Sequence, residues 1–391
     1  MKSKNIMVFG GGDLQISLVK KIRQDEYKAI VIDPDENAIC KSIADHFEIV
    51  SGSDYKKTCQ LVEKYKIDGI VTAATDKPLL MMARIAEKYE FSSFSKKAAR
   101  LSTDKYLMKL AFKRFGIPHA KGGLFCRKDE LPEFPCIIKP RDNSGSRGVI
   151  YCKDKYDYLQ SIESSYEYTT KSTLLVEEYI DGPEYSVETI HYRGKSKIIQ
   201  ITEKITTDLP YNVELGHIQP ADIPPSIQKK IEKVINKIAV ALDFDNCVSH
   251  TELKIIRDNI VVIETSPRLG GDFITSHLVA LSTGIDIEEL LIKIILNKRF
   301  KIPRANHRSA AIKYHFFPEG KVASVQDVQL PDYVVGYEQK VKPGCRVKPI
   351  KSSLDRYGYI IVEAATRKDL FIRLNTCEEL IKKSIKFVDH D

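Results

Sequence analysis

The chain has 391 residues, of which 43% are hydrophobic, and its 61 basic and 53 acidic residues give a formal net charge of +8. The basic excess is thinly spread, which disfavours a nucleic-acid-binding protein, and no apolar run approaches the roughly 20 residues of a membrane helix. The eight cysteines include no CxxC pair, so reduced thiols in the cytoplasm are expected rather than disulfides or a zinc site. The first strand begins at Asn5, without the apolar region of a signal peptide.

Strands and helices alternate over the first hundred residues. The predicted elements, in order, are a strand over 5–9, a helix over 14–22, a strand over 29–32, a helix over 59–65, a strand over 69–72 and a helix over 79–89. Such alternation predicts a parallel sheet with helices on its faces. Glycines 10 to 12 suggest a dinucleotide fingerprint, but Gln15 stands where the third glycine belongs, so a nicotinamide oxidoreductase is the least favoured interpretation.

A second group of elements begins where Ser102 or Thr103 can cap a helix over 106–112. A buried apolar strand then ends in Lys139, and the loop 141–149 that follows is rich in glycine, serine and cations. Backbone N–H groups of such a loop can approach phosphate oxygens closely. It is not a Walker loop, because no Gly-Lys-Ser/Thr closes it. A lone lysine after a strand is more often a solvated residue at the strand end. The assignment of Lys139 to a phosphate site therefore depends on the loop that follows it.

The most informative pattern is a predicted β-hairpin around the polar triplet Arg257-Asp258-Asn259. If the triplet is the turn, residue 256 faces 260 and, in the same register, Glu252 faces Glu264. Two directly opposed carboxylates repel each other, and a divalent cation between them would remove that cost. Mg²⁺ held by one or two carboxylates usually carries substrate phosphates, so the hairpin indicates a nucleotide site. Taken alone, the two glutamates could equally be surface residues.

Four stretches together resemble the ATP-grasp superfamily of carboxylate–amine ligases: the Lys139 loop, Glu177-Glu178-Tyr179-Ile180, Glu184-Tyr185-Ser186 and the two-glutamate hairpin. The chain is most similar to the carbamoyl-phosphate-synthase-like branch, which includes the L-amino acid ligases. The resemblance implies an α/β (α+β) fold of three parts. These are a Rossmann-like pre-ATP-grasp domain over 1–102, an ATP-grasp domain over 103–300 whose two lobes grip ATP, and a small β-rich C-terminal domain over 301–391.

The resemblance also implies which residues bind ATP. Lys105 and Lys139 match the two lysines that hold the phosphates. The loop that closes over the triphosphate is matched by Ser144, Gly145, Ser146 and Gly148. Glu177, Tyr179 and Ile180 match the segment that recognises the edge of the adenine ring, and Glu184 matches the acid that binds the ribose.

For the metal and the chemistry, Glu252 and Glu264 match the Mg²⁺ ligands, with Mn²⁺ as an alternative ion. Arg268 matches the arginine that, with Lys139, steadies the transferred phosphoryl group. The family usually has Asn-Pro-Arg after the second acid, whereas this chain has Ser266 in place of the asparagine. A hydroxyl is a poorer ligand than an amide carbonyl, so a second metal ion is expected to bind more loosely.

The implied reaction joins a carboxylate to an amine through an acyl phosphate, with release of ADP. Amino acids are the expected substrates, neither nucleic acid nor membrane is an expected partner, and a homodimer is the default assembly. Three alternatives remain. A phosphotransferase would keep the same ATP residues and stop after phosphoryl transfer, a ligase for a phosphorylated metabolite should show extra basic residues around the cleft, and a nucleotide sensor would be non-catalytic. Intact metal acids and phosphate lysines disfavour the sensor.

Weaker expectations concern the second half of the chain. The connection 204–225 is long, and residues 211–217 are expected to form a flap beside the substrate. The turn Leu269–Phe273 lines the acceptor pocket in the resembled family, although a tight turn into a helix explains its glycines almost as well. For a histidine such as His250, a structural role is more common than a role as a ligand, so a structural role is expected. Helices are predicted over 228–242, 274–281, 287–296 and 377–387, and strands over 310–317 and 359–364.

Overall fold

The structure, a computed structural model, describes residues 3–127 and 130–388. Its first part is a four-stranded parallel sheet in the order β3-β2-β1-β4, as the alternation of elements predicts. The elements are β1 (Asn5–Phe9), α1 (Ile16–Gln24), β2 (Lys28–Asp33), β3 (His46–Ile49), α2 (Tyr55–Tyr65), β4 (Gly69–Thr72), α3 (Leu79–Tyr89) and α4 (Lys96–Thr103). Both faces of this sheet are covered, since β1 is buried from Ile6 to Phe9 and all of β4 is buried.

The next elements form a small sheet with strand order β5-β8-β6-β7. They are α5 (Lys105–Arg114), β5 (Gly122–Phe125), β6 (Cys136–Lys139), β7 (Ile150–Cys152), α6 (Lys155–Tyr166) and β8 (Leu174–Glu178). Helix α6 packs on this sheet through Tyr158 and Ile162, which share a core with Ile138 and Val176. The loop between β6 and β7 is the glycine-rich segment, so both of its ends are anchored in the sheet.

The predicted cap of α5 is wrong. Ser102 and Thr103 end α4, and the helix begins after Asp104, whose carboxylate accepts hydrogen bonds from the backbone N–H of Tyr106 (3.0 Å) and Leu107 (3.3 Å). Aspartate is as good an N-cap residue as serine. The carboxylate of Asp104 also accepts a hydrogen bond at 2.7 Å from Arg141, which follows β6. One aspartate therefore fixes the start of α5 against the glycine-rich loop.

The third group of elements builds most of a large antiparallel sheet. It comprises β9 (Glu184–Tyr192), β10 (Lys195–Thr206), β11 (Glu214–Gln219), α7 (Pro225–Leu242), β12 (Cys247–Ile256), β13 (Asn259–Ser266), α8 (Val279–Thr283) and α9 (Ile287–Ile295). The predicted connection 204–225 is shorter than expected, because β10 continues to Thr206 and β11 occupies 214–219. His217, expected in a flap, lies in β11. The predicted helix over 274–281 starts as a π-helical turn, Ile274–Leu278, before α8.

The C-terminal elements are β14 (Ser309–Tyr314), β15 (Gly320–Val325), β16 (Val334–Gln339), β17 (Arg346–Val347), β18 (Gly358–Ala364), α10 (Arg367–Ser384) and β19 (Ile385–Phe387). Strands β14, β18 and β16 extend the large sheet, whose order is β13-β12-β9-β10-β11-β14-β18-β16. The last helix was predicted both to begin and to end too late. It begins after Thr366, whose hydroxyl accepts from the N–H of Asp369 at 3.1 Å, and residues 385–387 form a strand.

Two further observations concern membrane-spanning helices and the cysteines. Within residues 3–127 and 130–388, no helix is both long enough and apolar enough to span a bilayer. All eight cysteines lie in these ranges, and none of them forms a disulfide.

Candidate active site

The two glutamates of the hairpin face each other, although its turn differs from the prediction. The turn has two residues, Arg257 and Asp258, both with positive φ (46° and 66°), as a type I′ turn requires. Ile256 therefore faces Asn259, and the predicted pairing of 256 with 260 is wrong. A register shift next to Glu252 inserts one extra residue on β13 and restores the pairing of Glu252 with Glu264.

A cleft lies between the small sheet and the large sheet. Its walls include the predicted residues Lys105, Lys139, Ser144, Gly145, Ser146, Tyr179, Ile180, Glu184, Glu252 and Glu264. Three other predicted residues, Gly148, Glu177 and Arg268, do not line it. Tyr211, Asn212 and Glu214 of the predicted flap line the cleft as well. The other lining residues include Tyr151, Glu178, Leu209, Pro210 and Lys254.

Lys105 links the start of α5 to the hairpin that carries Glu252 and Glu264. Its ammonium group forms an ion pair with the carboxylate of Glu264, and its backbone N–H donates to Arg141 at 3.0 Å. Burial alone would lower the pKa of Lys105, but the carboxylates of Glu264 and Asp76 outweigh burial and raise it. Lys105 is therefore a fixed positive charge next to one of the two opposed glutamates.

Lys204, which the sequence analysis missed, occupies the corresponding position beside the other glutamate. Its ammonium lies 2.7 Å from Glu184, 2.8 Å from Glu252 and 3.6 Å from Glu214, and its side chain is 2% exposed. Burial opposes the charge, but these three carboxylates raise the pKa of Lys204 well above its usual value. The predicted ribose acid and one predicted metal acid thus share a single ammonium group.

Glu177 does not face the cleft, contrary to its predicted role at the adenine edge. It lies on β8, where neighbouring side chains point to opposite faces, so Glu178 reaches the cleft instead. The buried carboxylate of Glu177 forms ion pairs with Lys139 at 2.7 Å and with Lys109 at 2.9 Å. Burial raises the pKa of Glu177, but the two ammonium groups overcome burial and lower it to about 2. Glu177 therefore holds the ammonium group of Lys139, a predicted phosphate-binding residue, in place.

The segment after β8 provides a partly aromatic wall. Tyr179 packs against Tyr151 with ring centroids 4.8 Å apart, and the ammonium of Lys254 lies 5.4 Å from the Tyr179 ring. Lys254 also donates to the carbonyl of Ile180 at 3.1 Å. Burial lowers the pKa of Lys254. The two rings meet edge to face, at an interplanar angle of 69°, and such an aromatic wall beside backbone groups and a cation can contact a purine ring.

The glycine-rich loop is held at its base. The hydroxyl of Ser165 donates to the carbonyl of Gly148 at 2.8 Å, and Arg147 donates to Asn143 at 2.8 Å. Gly145, Ser146 and Gly148 all have positive φ (69°, 55° and 75°). Such a backbone turns successive N–H groups toward a common side, which is the geometry of an anion-binding concavity.

Arg268 is bound to the first part of the chain instead of projecting into the cleft. Its guanidinium donates to Asp76 at 2.7 and 3.3 Å, and the hydroxyl of Ser266 donates to the same carboxylate at 2.6 Å. Burial would raise the pKa of Asp76, but Arg268 lowers it. Asp76 therefore binds both Arg268, which matches the family pattern after Glu264, and Ser266, which departs from it.

His250 contacts Glu252, one of the two predicted metal ligands. Its ring nitrogens lie 2.5 Å from Glu188 and 3.3 Å from Glu252. A Cβ added at Gly270 would lie 2.8 Å from the ring and 3.1 Å from Glu188, so the glycine there is required by close packing. Burial disfavours the charged ring, but Glu188 and Glu252 raise the pKa of His250 to about 9.

The donor set fits Mg²⁺ bound together with a nucleotide. Among the described residues, no group of three or more histidine, cysteine or acidic side chains is arranged to hold a metal by itself. Two opposed carboxylates, each now balanced by a lysine, leave the remaining positions to phosphates and water. That is how Mg²⁺ sites that carry substrate phosphates are built. Glu252 and Glu264 would hold the ion, and Mn²⁺ prefers similar oxygen ligands.

Comparison with known proteins agrees with this geometry. Residues 132–276 match the ATP-grasp domain family, and residues 313–386 match the L-amino acid ligase C-terminal domain 2. An alanine–anticapsin ligase of Bacillus amyloliquefaciens is 23% identical over 80% of this chain and 71% of its own length. The carbamoyl phosphate synthase large chain of Clostridium acetobutylicum is 22% identical over 82% of this chain but only 32% of its own length.

The fold comparison extends over the whole chain. An L-amino acid ligase from Bacillus licheniformis superposes with a TM-score of 0.83 at 16% identity, covering 100% of both chains. At this identity the likeness concerns the fold alone. The two family matches show that this chain carries an ATP-grasp domain followed by an L-amino acid ligase C-terminal domain 2.

Proposed function

We propose that the protein is an ATP-dependent, ADP-forming carboxylate–amine ligase whose substrates are amino acids. The observation that carries this proposal is the convergence of two opposed acids, Glu252 and Glu264, with Lys105 and Lys139 in one cleft. These residues come from different elements, and a nucleotide triphosphate with its metal ion requires this combination of charges. The substrates are small molecules, and a homodimer in the cytoplasm is part of the proposal.

In the first step, an oxygen of the substrate carboxylate attacks the γ-phosphorus of ATP and ADP leaves. In the second, the amine nitrogen attacks the acyl carbon of the acyl phosphate, inorganic phosphate leaves, and the amine loses a proton. The bound metal ion would neutralise phosphate charge. Lys105 and Lys139 hold the phosphates, and the 143–148 loop covers them and excludes water.

Arg268 is assigned a supporting part in this chemistry. Asp76 holds its guanidinium outside the cleft lining with two hydrogen bonds, so the arginine would have to leave Asp76 before it could contact a phosphoryl or acyl phosphate group. The site requires no nucleophilic serine or cysteine, because the substrates themselves supply the nucleophiles.

The test is ADP release from Mg-ATP with pooled amino acids, with and without hydroxylamine. ADP together with a hydroxamate supports carboxylate activation, and dividing the active pool identifies the substrates. ADP without hydroxamate or amide supports the phosphotransferase instead. Absence of ADP release in every pool contradicts amino acid substrates.

A further inference from the structure

The charged residues of the cleft continue beyond Lys204 into a second group, named here the Arg356 cluster: Glu214, His217, Asp272, Tyr314 and Arg356. Arg356 belongs to the C-terminal segment and follows the short 3₁₀ turn Ser353–Asp355. Its two terminal nitrogens donate to the two oxygens of Asp272, each at 3.0 Å. This bidentate arrangement is the strongest geometry available to an arginine and a carboxylate.

Arg356 binds a second element at the same time. Its Nε donates to the backbone carbonyl of Glu214 at 3.0 Å, and its Nη2 donates to the carboxylate of Glu214 at 3.2 Å. The guanidinium carbon lies 3.8 Å from the ring centroid of Tyr314, and the arginine side chain is 7% exposed. A buried arginine engaged on three sides cannot be replaced by lysine without loss of contacts.

The turn that carries Asp272 is strained. Asp272 and Phe273 have φ of 51° and 60°, and positive φ is rare for a bulky side chain such as phenylalanine. Such strain persists only where surrounding contacts fix the backbone. Those contacts are Arg356 and the ring of His217, whose Nε2 lies 3.1 Å from Asp272.

The cluster meets the cleft at Glu214. This residue lines the cleft, and its carboxylate lies between two cations, 3.6 Å from Lys204 on one side and 3.2 Å from Arg356 on the other. Lys204 in turn contacts Glu252, one of the two opposed acids. The position of Glu214 beside the metal acids thus depends on an arginine supplied by the C-terminal segment.

We infer that Arg356 is a positioning residue for the substrate other than ATP: it fixes Glu214 in the lining of the cleft and ties it to the turn that carries Asp272. This inference rests on the proposed ligase function. It assigns the C-terminal segment a part in binding this substrate. Among the hydrogen bonds of the described residues, the Arg356 cluster makes none to Lys105, Lys139 or the glycine-rich loop, and its connection to Glu184, the predicted ribose acid, passes through Lys204.

The chain offers a matched control in Arg367. This arginine also lies in the C-terminal segment and also binds a glutamate and a carbonyl of the large sheet, Glu203 at 2.7 Å and Pro220 at 3.1 Å. Glu203 precedes Lys204 in β10, so its side chain points to the opposite face, away from the cleft. Arg356→Gln, Arg356→Lys and Arg367→Gln are compared with the wild type in the presence of Mg-ATP.

Arg356→Gln should raise the KM of the non-nucleotide substrate at least about tenfold and leave the KM of ATP within about twofold. Arg356→Lys should recover part of the loss, and Arg367→Gln should leave both constants near wild type. An equal rise of both KM values in Arg356→Gln, or the same effect in Arg367→Gln, would overturn the inference.

Hydrogen exchange of residues 211–217 provides a measurement that needs no substrate. Arg356→Gln should speed exchange in this segment, and Arg367→Gln should not; unchanged exchange in Arg356→Gln contradicts the inference. If the wild type releases no ADP with any amino acid, the proposed function fails, and the exchange experiment still decides whether Arg356 fixes Glu214.

Discussion

The ammonium group of Lys204 lies 2.8 Å from a carboxylate oxygen of Glu252, one of the two opposed acids. The same ammonium is 2.7 Å from Glu184 and 3.6 Å from Glu214, so three carboxylates share one buried positive charge. Lys204 thus compensates part of the negative charge of Glu184, Glu214 and Glu252, of which Glu184 and Glu252 are predicted to bind ATP and its metal ion.

Lys204→Met should therefore destabilise the metal-free protein strongly. Removing one partner of a buried charged group leaves the others uncompensated, at about 3–5 kcal/mol. Added Mg²⁺ should raise the melting temperature of this variant more than that of the wild type. In the control Lys293→Met, only an ion pair with Glu289 on the helix surface is lost, at about 0.5 kcal/mol or less. Similar stability of the two variants in urea unfolding would contradict the prediction.

Glu264→Gln should fold normally and lose Mg²⁺-dependent turnover by about 100-fold or more, because the amide cannot neutralise a metal ion that stabilises charge by several kcal/mol. The measurement is ADP release, with circular dichroism to verify the fold. Glu203→Gln, whose side chain pairs with Arg367 outside the cleft, is the control. Near-wild-type ADP release by Glu264→Gln would show that Glu264 is not a metal ligand.

Glu177→Gln should cost about 3–5 kcal/mol near neutral pH, because Lys139 and Lys109 then lose their buried counter-charge. The control is Glu178→Gln, whose side chain is exposed. In the wild type, the pKa of Glu177 falls from 4.5 in the unfolded chain to about 2 in the folded protein. Its stabilisation is thus present above pH 4.5 and lost as the pH falls toward 2. Urea unfolding at pH 7 and pH 3 measures both effects, and an equal loss in Glu178→Gln would refute this assignment.

Gly145 and Gly148 of the glycine-rich loop differ in the space that surrounds them. A Cβ at Gly148 would lie 2.8 Å from Pro140 and 2.9 Å from Tyr168, whereas a Cβ at Gly145 would meet nothing within 4 Å. Both have positive φ, so alanine at either position pays a similar backbone cost of about 1 kcal/mol. Gly148→Ala should therefore raise the KM of ATP and lower the melting temperature clearly more than Gly145→Ala. Indistinguishable variants would mean that the base of the loop adjusts freely.

Gly270→Ala tests the support of Glu252. The added methyl group would lie 2.8 Å from His250 and displace the ring that contacts Glu252. We expect the Mg²⁺ concentration for half-maximal activity to rise about tenfold, as for other changes to groups that orient metal ligands. At Gly271 a methyl group would meet Ala74 at an ordinary 3.4 Å, so Gly271→Ala should behave like the wild type. Equal Mg²⁺ dependence in both variants would contradict this role of His250.

The features that are best predicted from the sequence are those that local patterns of residues determine. The pairing of Glu252 with Glu264 depends on one hairpin, and it is correct even though a turn one residue shorter and a register shift replace the expected geometry. The start of α10 carried a readable signal, Thr366 followed by Asp369, which the periodicity alone did not reveal. Such errors concern the ends of elements and leave the site in place.

Contacts between distant segments could not be predicted in this way. Asp76 and Arg268 are 192 residues apart, and nothing near either residue indicates the other. Lys204 is a lysine in a strand that alternates between two faces, so its sequence context does not show that three carboxylates surround it. Glu177 and Glu178 are adjacent, and which of them faces the cleft depends on the register of β8 in its sheet.

The C-terminal strands limit how this chain can be shortened or recombined. Strand β14 pairs with β11, which carries Glu214, and β18 pairs with β14. A protein that stops near residue 300 would leave β11 as an open edge with unpaired backbone groups, and such edges associate with other chains. Exchange of the C-terminal segment between related enzymes should therefore preserve the β11–β14 ladder and Arg356 together, because the same stretch completes the sheet and shapes the cleft.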